Sequence, residues 1–188
     1  MKRISTGLLP VLTIATLLLA AIVSSTAAET NLVSAVKGDK LYTQFSLFYE
    51  DKVHRTTNYR IGSFVPINTE VTFVKANKSE ILVTLPGGTQ LTIENVEKYS
   101  GEKIPAIFTR TFAKTPLDLS QFSAKEKTSI EAGEVEPGMS KDAVIASLGY
   151  PPKHQTPTLK GNQWRYWRNR FATFVVHFDD DKVSSIER

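Results

Sequence analysis

Between Leu32 and Ile93 the chain is a succession of short apolar runs cut by polar turns. VTFV (71–74) gives way to KANKSE, ILVTL (81–85) runs into PGGT, and QLTIENV follows. Apolar runs of this length, rich in β-branched residues and separated by Gly, Pro and Asn, predict a meander of short strands. Gly87 and Gly88 supply the positive φ angles that a tight hairpin requires. Upstream, LYTQFSLFYE alternates imperfectly and reads as another strand. NYRIGSFVPINTEV reads as a loop feeding a strand, with Pro66 at its edge. Between Glu97 and Gln121 the pattern loosens, and Pro105 and Pro116 bracket IFTRTF, which reads as a short strand.

Two helices follow. SAKE (123–126) matches a capping box, in which the Ser123 hydroxyl accepts from a first-turn amide and the Glu126 carboxylate reaches back to the Ser123 amide. It predicts a helix over 124–132 that ends at Gly133, half exposed because Ile130 is nearly its only apolar residue. GEVEPGMSKDAVIASLGYPP (133–152) predicts a second helix. Ser140 is its N-cap, Asp142 complements the dipole in the first turn, and Met139 staples onto Val144. Val144, Ile145 and Leu148 form an apolar stripe at spacings of three and four. Gly149 ends the helix at a position that favours a left-handed residue, and Pro151 and Pro152 forbid its continuation.

After the connector KHQTPTLKGNQ come WRYW, a turn near Asn169, FATFVVHF, the polar tip DDDK and VSSI, a three-stranded antiparallel meander by pattern. A period of two puts Trp164 and Tyr166 on one face with Phe174, Val176 and Phe178, and Arg165 and Trp167 on the other with Phe171, Val175 and His177. The first set is expected to be buried beneath the helix. The second is too apolar to be merely solvated, so it meets either the N-terminal half or a partner.

These residues carry a resemblance. Gly138-Met139-Ser140, then Val144, Leu148-Gly149 and Pro151, followed by Trp164-x-Tyr166 and Val176-x-Phe178, resemble the SmpA/OmlA (BamE-like) domain of small Gram-negative envelope proteins. The likeness covers about a third of the chain, at its C-terminal end, and implies one or two short helices packed on an antiparallel sheet. The β-lactamase inhibitor protein is built from similar units, which by analogy implies protein binding. Family members commonly carry a lipid-bearing cysteine that this chain lacks, and they lack its long β-rich N-terminal half. That half, from FVPINTEV to LPGGTQLTI, is similar to a small SH3-like barrel in its order of elements. The expected fold class is therefore α+β: a β meander or SH3-like barrel over 29–119, then a two-layer domain over 120–188.

The first residues change the compartment. Lys2 and Arg3, the apolar run from Leu8 to Val23 and the small residues from Ser24 to Ala28 have the order of a secretory signal peptide over 1–28, cleaved after Ala28. The alternative is an uncleaved anchor, although the apolar run is short for a bilayer and Pro10 interrupts it. The whole chain of 188 residues carries a net charge of +4; without 1–28, 21 of its 23 basic side chains remain against 19 acidic ones, a net of +2. That near balance, with export to the periplasm, argues against a nucleic-acid partner. No cysteine is present, so disulfide and thiol chemistry are excluded.

No enzyme signature accompanies these patterns. His54, His154 and His177 lack metal-ligand spacing, and Asp179, Asp180 and Asp181 read as a polar turn rather than a calcium loop. Asn77-Lys78-Ser79 fits the glycosylation sequon, an incidental match in a bacterial-looking export. The expectation is an exported, non-catalytic envelope protein that needs no cofactor or metal and binds other proteins through Arg165, Trp167, Phe171 and His177. The alternative is an envelope ligand binder that recognises anionic lipid headgroups or cell-wall polymer through Lys153, Lys160, Arg165, Arg168 and Arg170.

Overall fold

Eleven short strands and four short helices make up residues 33–188, the part of the chain described by the computed structural model. The proposed signal segment lies outside the described residues. The fold class is mixed α+β, with a curled six-stranded sheet, a three-stranded antiparallel sheet and a two-stranded ribbon.

The six-stranded sheet is built from β1 (Lys40–Thr43), β3 (Val53–Arg55), β5 (Glu70–Ala76), β6 (Glu80–Thr84), β7 (Gln90–Glu94) and β8 (Phe112–Ala113), in the order β3-β7-β6-β5-β1-β8. β2 (Leu47–Tyr49) and β4 (Ser63–Val65) form the ribbon. Alternation places Leu41, Val71, Phe73, Ile81, Val83, Leu91 and Ile93 in one core, each nearly inaccessible to water. All pairings in the large sheet are antiparallel except β3 with β7, where His54 lies opposite Ile93. The Gly87-Gly88 turn joins β6 to β7 with both φ angles positive, 82° and 86°. In the preceding hairpin the Asn77 Oδ1 accepts from the Ser79 and Glu80 amides at 2.8 and 2.9 Å, so the sequon side chain shapes its turn.

Two expectations are corrected here. LYTQFSLFYE is not one strand; it divides into β1 and β2, with Gln44–Ser46 turning between two sheets. IFTRTF is not a strand either. After the single turn α1 (Glu97–Ser100), α2 (Ile104–Thr111) takes nearly all of it, leaving Phe112 to begin β8. Pro105 lies in the first turn, where its missing amide costs nothing, and Ile104, Ile107, Phe108 and Thr111 fall on one buried helical face.

In the C-terminal part α3 (Ala124–Ala132) and α4 (Lys141–Leu148) precede the sheet of β9 (Gln163–Trp167), β10 (Thr173–Asp179) and β11 (Lys182–Glu187), ordered β11-β10-β9. Trp164, Tyr166, Phe174, Val176 and Phe178 join Ile130, Val144 and Leu148 in a second core. Burying each of the aliphatic side chains contributes about 1.5–3 kcal/mol. Asp180 and Asp181 make the β10–β11 turn with positive φ, and the Asn169 Oδ1 holds the β9–β10 turn by accepting from the Phe171 and Ala172 amides. Among the described residues no helix is long and apolar enough to cross a membrane.

The two cores belong to one compact unit, residues Asn31–Arg188, and each lends a side chain to the other. Ile67 is buried in the second core, while Tyr150 packs against the first. Ser46, fully buried between them, donates its hydroxyl to Ile130 O, accepts from the Ile67 amide and sends its own amide to Ala146 O.

Candidate functional site

One side chain reaches both N-caps and another both C-terminal carbonyls of α3 and α4, so the two helices run side by side in the same direction, which aligns their dipoles unfavourably. At the N-terminal ends a single carboxylate caps both helices. Glu126 Oε2 accepts from the Ser123 amide and hydroxyl at 3.0 and 2.8 Å, and Oε1 from the Ser140 amide and hydroxyl at 2.8 and 2.9 Å. Burial alone would raise the Glu126 pKa, but these four donors outweigh it and hold the carboxyl at about 2.

At the C-terminal ends a cation from the other half of the molecule does the matching work. The Arg60 guanidinium donates from Nη1 to Leu148 O at 3.1 Å and from Nη2 to Gly133 O at 2.5 Å, so one side chain caps both helices. Asn58 adds bonds from Nδ2 to Leu148 O and Tyr150 O, and the Tyr166 hydroxyl donates to Gly149 O. Burial lowers the Arg60 pKa to about 10, and among the described residues no carboxylate lies within ion-pair distance of it. Its charge is offset by the carbonyl ends of the helices and by the Phe48 ring, 4.6 Å from the guanidinium carbon.

The glycines that end these helices are contact points. A Cβ on Gly133 would come within 2.6 Å of Phe64, and one on Gly149 within 2.5 Å of Phe45. Gly149 is not in the left-handed helical region that the sequence suggests. Its φ of 73° and ψ of −166° lie in a region open essentially to glycine alone.

The residues that carry the sequence resemblance fall on α4, its flanking turns and the facing sheet. Met139, Val144, Leu148, Trp164, Tyr166, Val176 and Phe178 are core; Ser140 caps, Gly138 turns at φ 92°, and Pro151 is buried beside Gly149.

Of the four residues expected at a contact surface, Arg165, Trp167 and His177 share one face of the sheet by register, and Phe171 does not. Trp167 is half-buried within an aromatic ladder, 6.2 Å from Tyr59 and 6.4 Å from His154, which itself lies 4.5 Å from Tyr99. Arg165 is exposed and donates to the Thr173 hydroxyl. His177 Nε2 faces Glu187 across the sheet at 3.3 Å. Phe171 is displaced from the face assigned to it by period, because β10 starts only at Thr173. It projects from the β9–β10 turn, 83% exposed, with the Arg170 guanidinium 4.7 Å from its ring. On that same face Val175 is buried among its long neighbours.

The remaining titratable groups are held by the fold. His54, wholly buried, donates from Nδ1 to Phe48 O at 2.8 Å, and burial lowers its pKa to about 4. Among the described residues no three His, Cys, Asp or Glu side chains are gathered to hold a metal ion. Comparison of the chain with protein-family models, with curated proteins and with solved structures gave no match.

Sequence reasoning missed Arg60. NYRIG carries no periodicity and no motif, and the carbonyls that Arg60 caps lie 73 and 88 residues further along.

Proposed function

We propose that this chain is an exported, non-catalytic protein of the cell envelope, with an SH3-like barrel leading into a BamE-like module, and that it binds other proteins through its β9–β10 hairpin. The observation that carries this reading is Phe171, 83% exposed at the tip of an antiparallel hairpin with Arg168 and Arg170 beside it. A projecting aromatic ring flanked by guanidinium groups has the composition of an interface anchor. The barrel reading draws support from β8, which returns after α2 to pair with β1 as an edge of the curled sheet. The BamE-like reading draws support from the two helices that share a core with the three-stranded sheet. Export rests on the order of residues in 1–28.

Replacing Phe171 and Arg170 together by alanine should leave thermal stability unchanged and remove specific proteins from those crosslinked in intact envelopes. An unchanged crosslinking pattern would exclude the hairpin tip as the contact.

The same tip favours a second reading, because an exposed phenylalanine among Arg165, Arg168 and Arg170 also suits an interface rich in anionic lipid headgroups. Binding to vesicles of phosphatidylglycerol that weakens steeply with salt, and is lost in the double variant, would select it over a protein partner.

A further inference from the structure

The backbone beside β11 is paired over only part of its length. The segment that enters α4 runs antiparallel to β11 at one end, with the Gly138 amide donating to Val183 O at 2.7 Å and the Val183 amide to Met139 O at 2.8 Å. Toward Arg188 the two chains separate. Among the described residues no backbone hydrogen bond joins 134–137 to 184–188, and a cavity of about 490 Å³ opens there, lined by Glu134, Val135 and Glu136 from one segment and Ile186 and Arg188 from the other. β11 is an edge strand with β10 as its single sheet neighbour, so its alternate amides and carbonyls in this stretch face away from the sheet.

The cavity reaches Arg60 and Arg168, and Val135, Leu148, Phe174 and Ile186 also line it. Helix capping uses two of the five N–H donors of Arg60. Among the described residues, three guanidinium groups without an acidic partner within ion-pair distance thus surround a slot that ends on a free strand edge. Glu134 and Glu136 on the rim disfavour a multiply charged anion and leave room for a single carboxylate.

We infer that this cleft holds the C-terminal end of an extended peptide. The peptide backbone adds to the free edge of β11, its terminal carboxylate pairs with Arg60, Arg168 and Arg188, and its last apolar side chain lies against Phe174 and Ile186. Strand addition provides the affinity, and capture of the carboxylate fixes the register. The inference stands apart from the hairpin-tip reading, since Phe171 and Arg170 do not line the cleft.

Titration of the full chain with a pool of N-acetylated pentapeptides ending in Leu, Val or Phe as free acids tests it. The free acids should bind, and the same pool amidated at the C-terminus should bind about tenfold more weakly or worse. Arg188→Ala and Arg168→Ala should each weaken the free acids severalfold at unchanged stability, and Phe171→Ala should not alter their binding. Equal binding of acids and amides, no binding up to millimolar peptide, or preferential binding of dodecanoate as a lipid-like carboxylate would each overturn the proposal.

Discussion

The two ends of the α3–α4 pair solve one electrostatic problem by different routes. At the N-terminal ends Glu126, a member of α3 itself, collects amides and hydroxyls that lie 3 and 14 residues away. At the C-terminal ends Arg60 comes from before β4 and closes contacts 73 and 88 residues distant. A local cap of the first kind forms as the helix forms. The second exists only once both cores have docked, so it measures their association rather than helix formation.

Arg60→Ala should produce the largest loss. It removes both caps and leaves carbonyls uncovered between the cores, at a cost of about 3 kcal/mol read as a shift in denaturation midpoint. If the loss is no larger than that of an ordinary surface arginine, the clamp is not what joins the halves. Gly149→Ala tests the same junction sterically, since the added methyl group meets Phe45 and the backbone angles are hostile to it. A cost of about 2–3 kcal/mol is expected, partly relieved by Phe45→Leu in the double variant.

At the other end Glu126→Gln keeps the shape and removes the charge, and should cost about 2 kcal/mol. Acidification separates this end from the first core. His54 and Glu126 are both held below their unfolded pKa, so each contributes stability above that value and loses it as pH falls toward the folded one. His54 acts between about 6.5 and about 4, and Glu126 between about 4.5 and about 2. Stability curves against pH should show the upper loss disappear in His54→Gln and the lower one in Glu126→Gln. The smallest effect belongs to Ser123→Ala, about 1 kcal/mol by thermal denaturation, because Ser140 still holds Glu126 in place.

Much of this was legible in the residues. The capping box at Ser123, the Ser140 cap, the Gly87-Gly88 hairpin and the inward set of Trp164, Tyr166, Phe174, Val176 and Phe178 follow from spacing, and spacing is a local property. IFTRTF was misread because two prolines suggested breaks on either side, whereas Pro105 starts a helix whose apolar spacing is three and four. Phe171 was placed one element too far along, since the Asn169 turn extends to Ala172 before β10 begins. The aromatic and basic composition of the hairpin was visible, but the periodicity could not show that Trp167 would be taken up by Tyr59 and His154 while Phe171 stayed in water.

By itself, then, the sequence determined the α+β class, both helices of the C-terminal part with their starts and stops, and which face of the last sheet is buried. These depend on dihedral preference, capping and alternation within a few residues. Tertiary structure decided that the two cores form one unit, that Arg60 caps both helices across the junction, and that a cleft remains open beside β11. Those features arise where surfaces remote in sequence meet, and no period along the chain encodes which carbonyl a distant arginine will find.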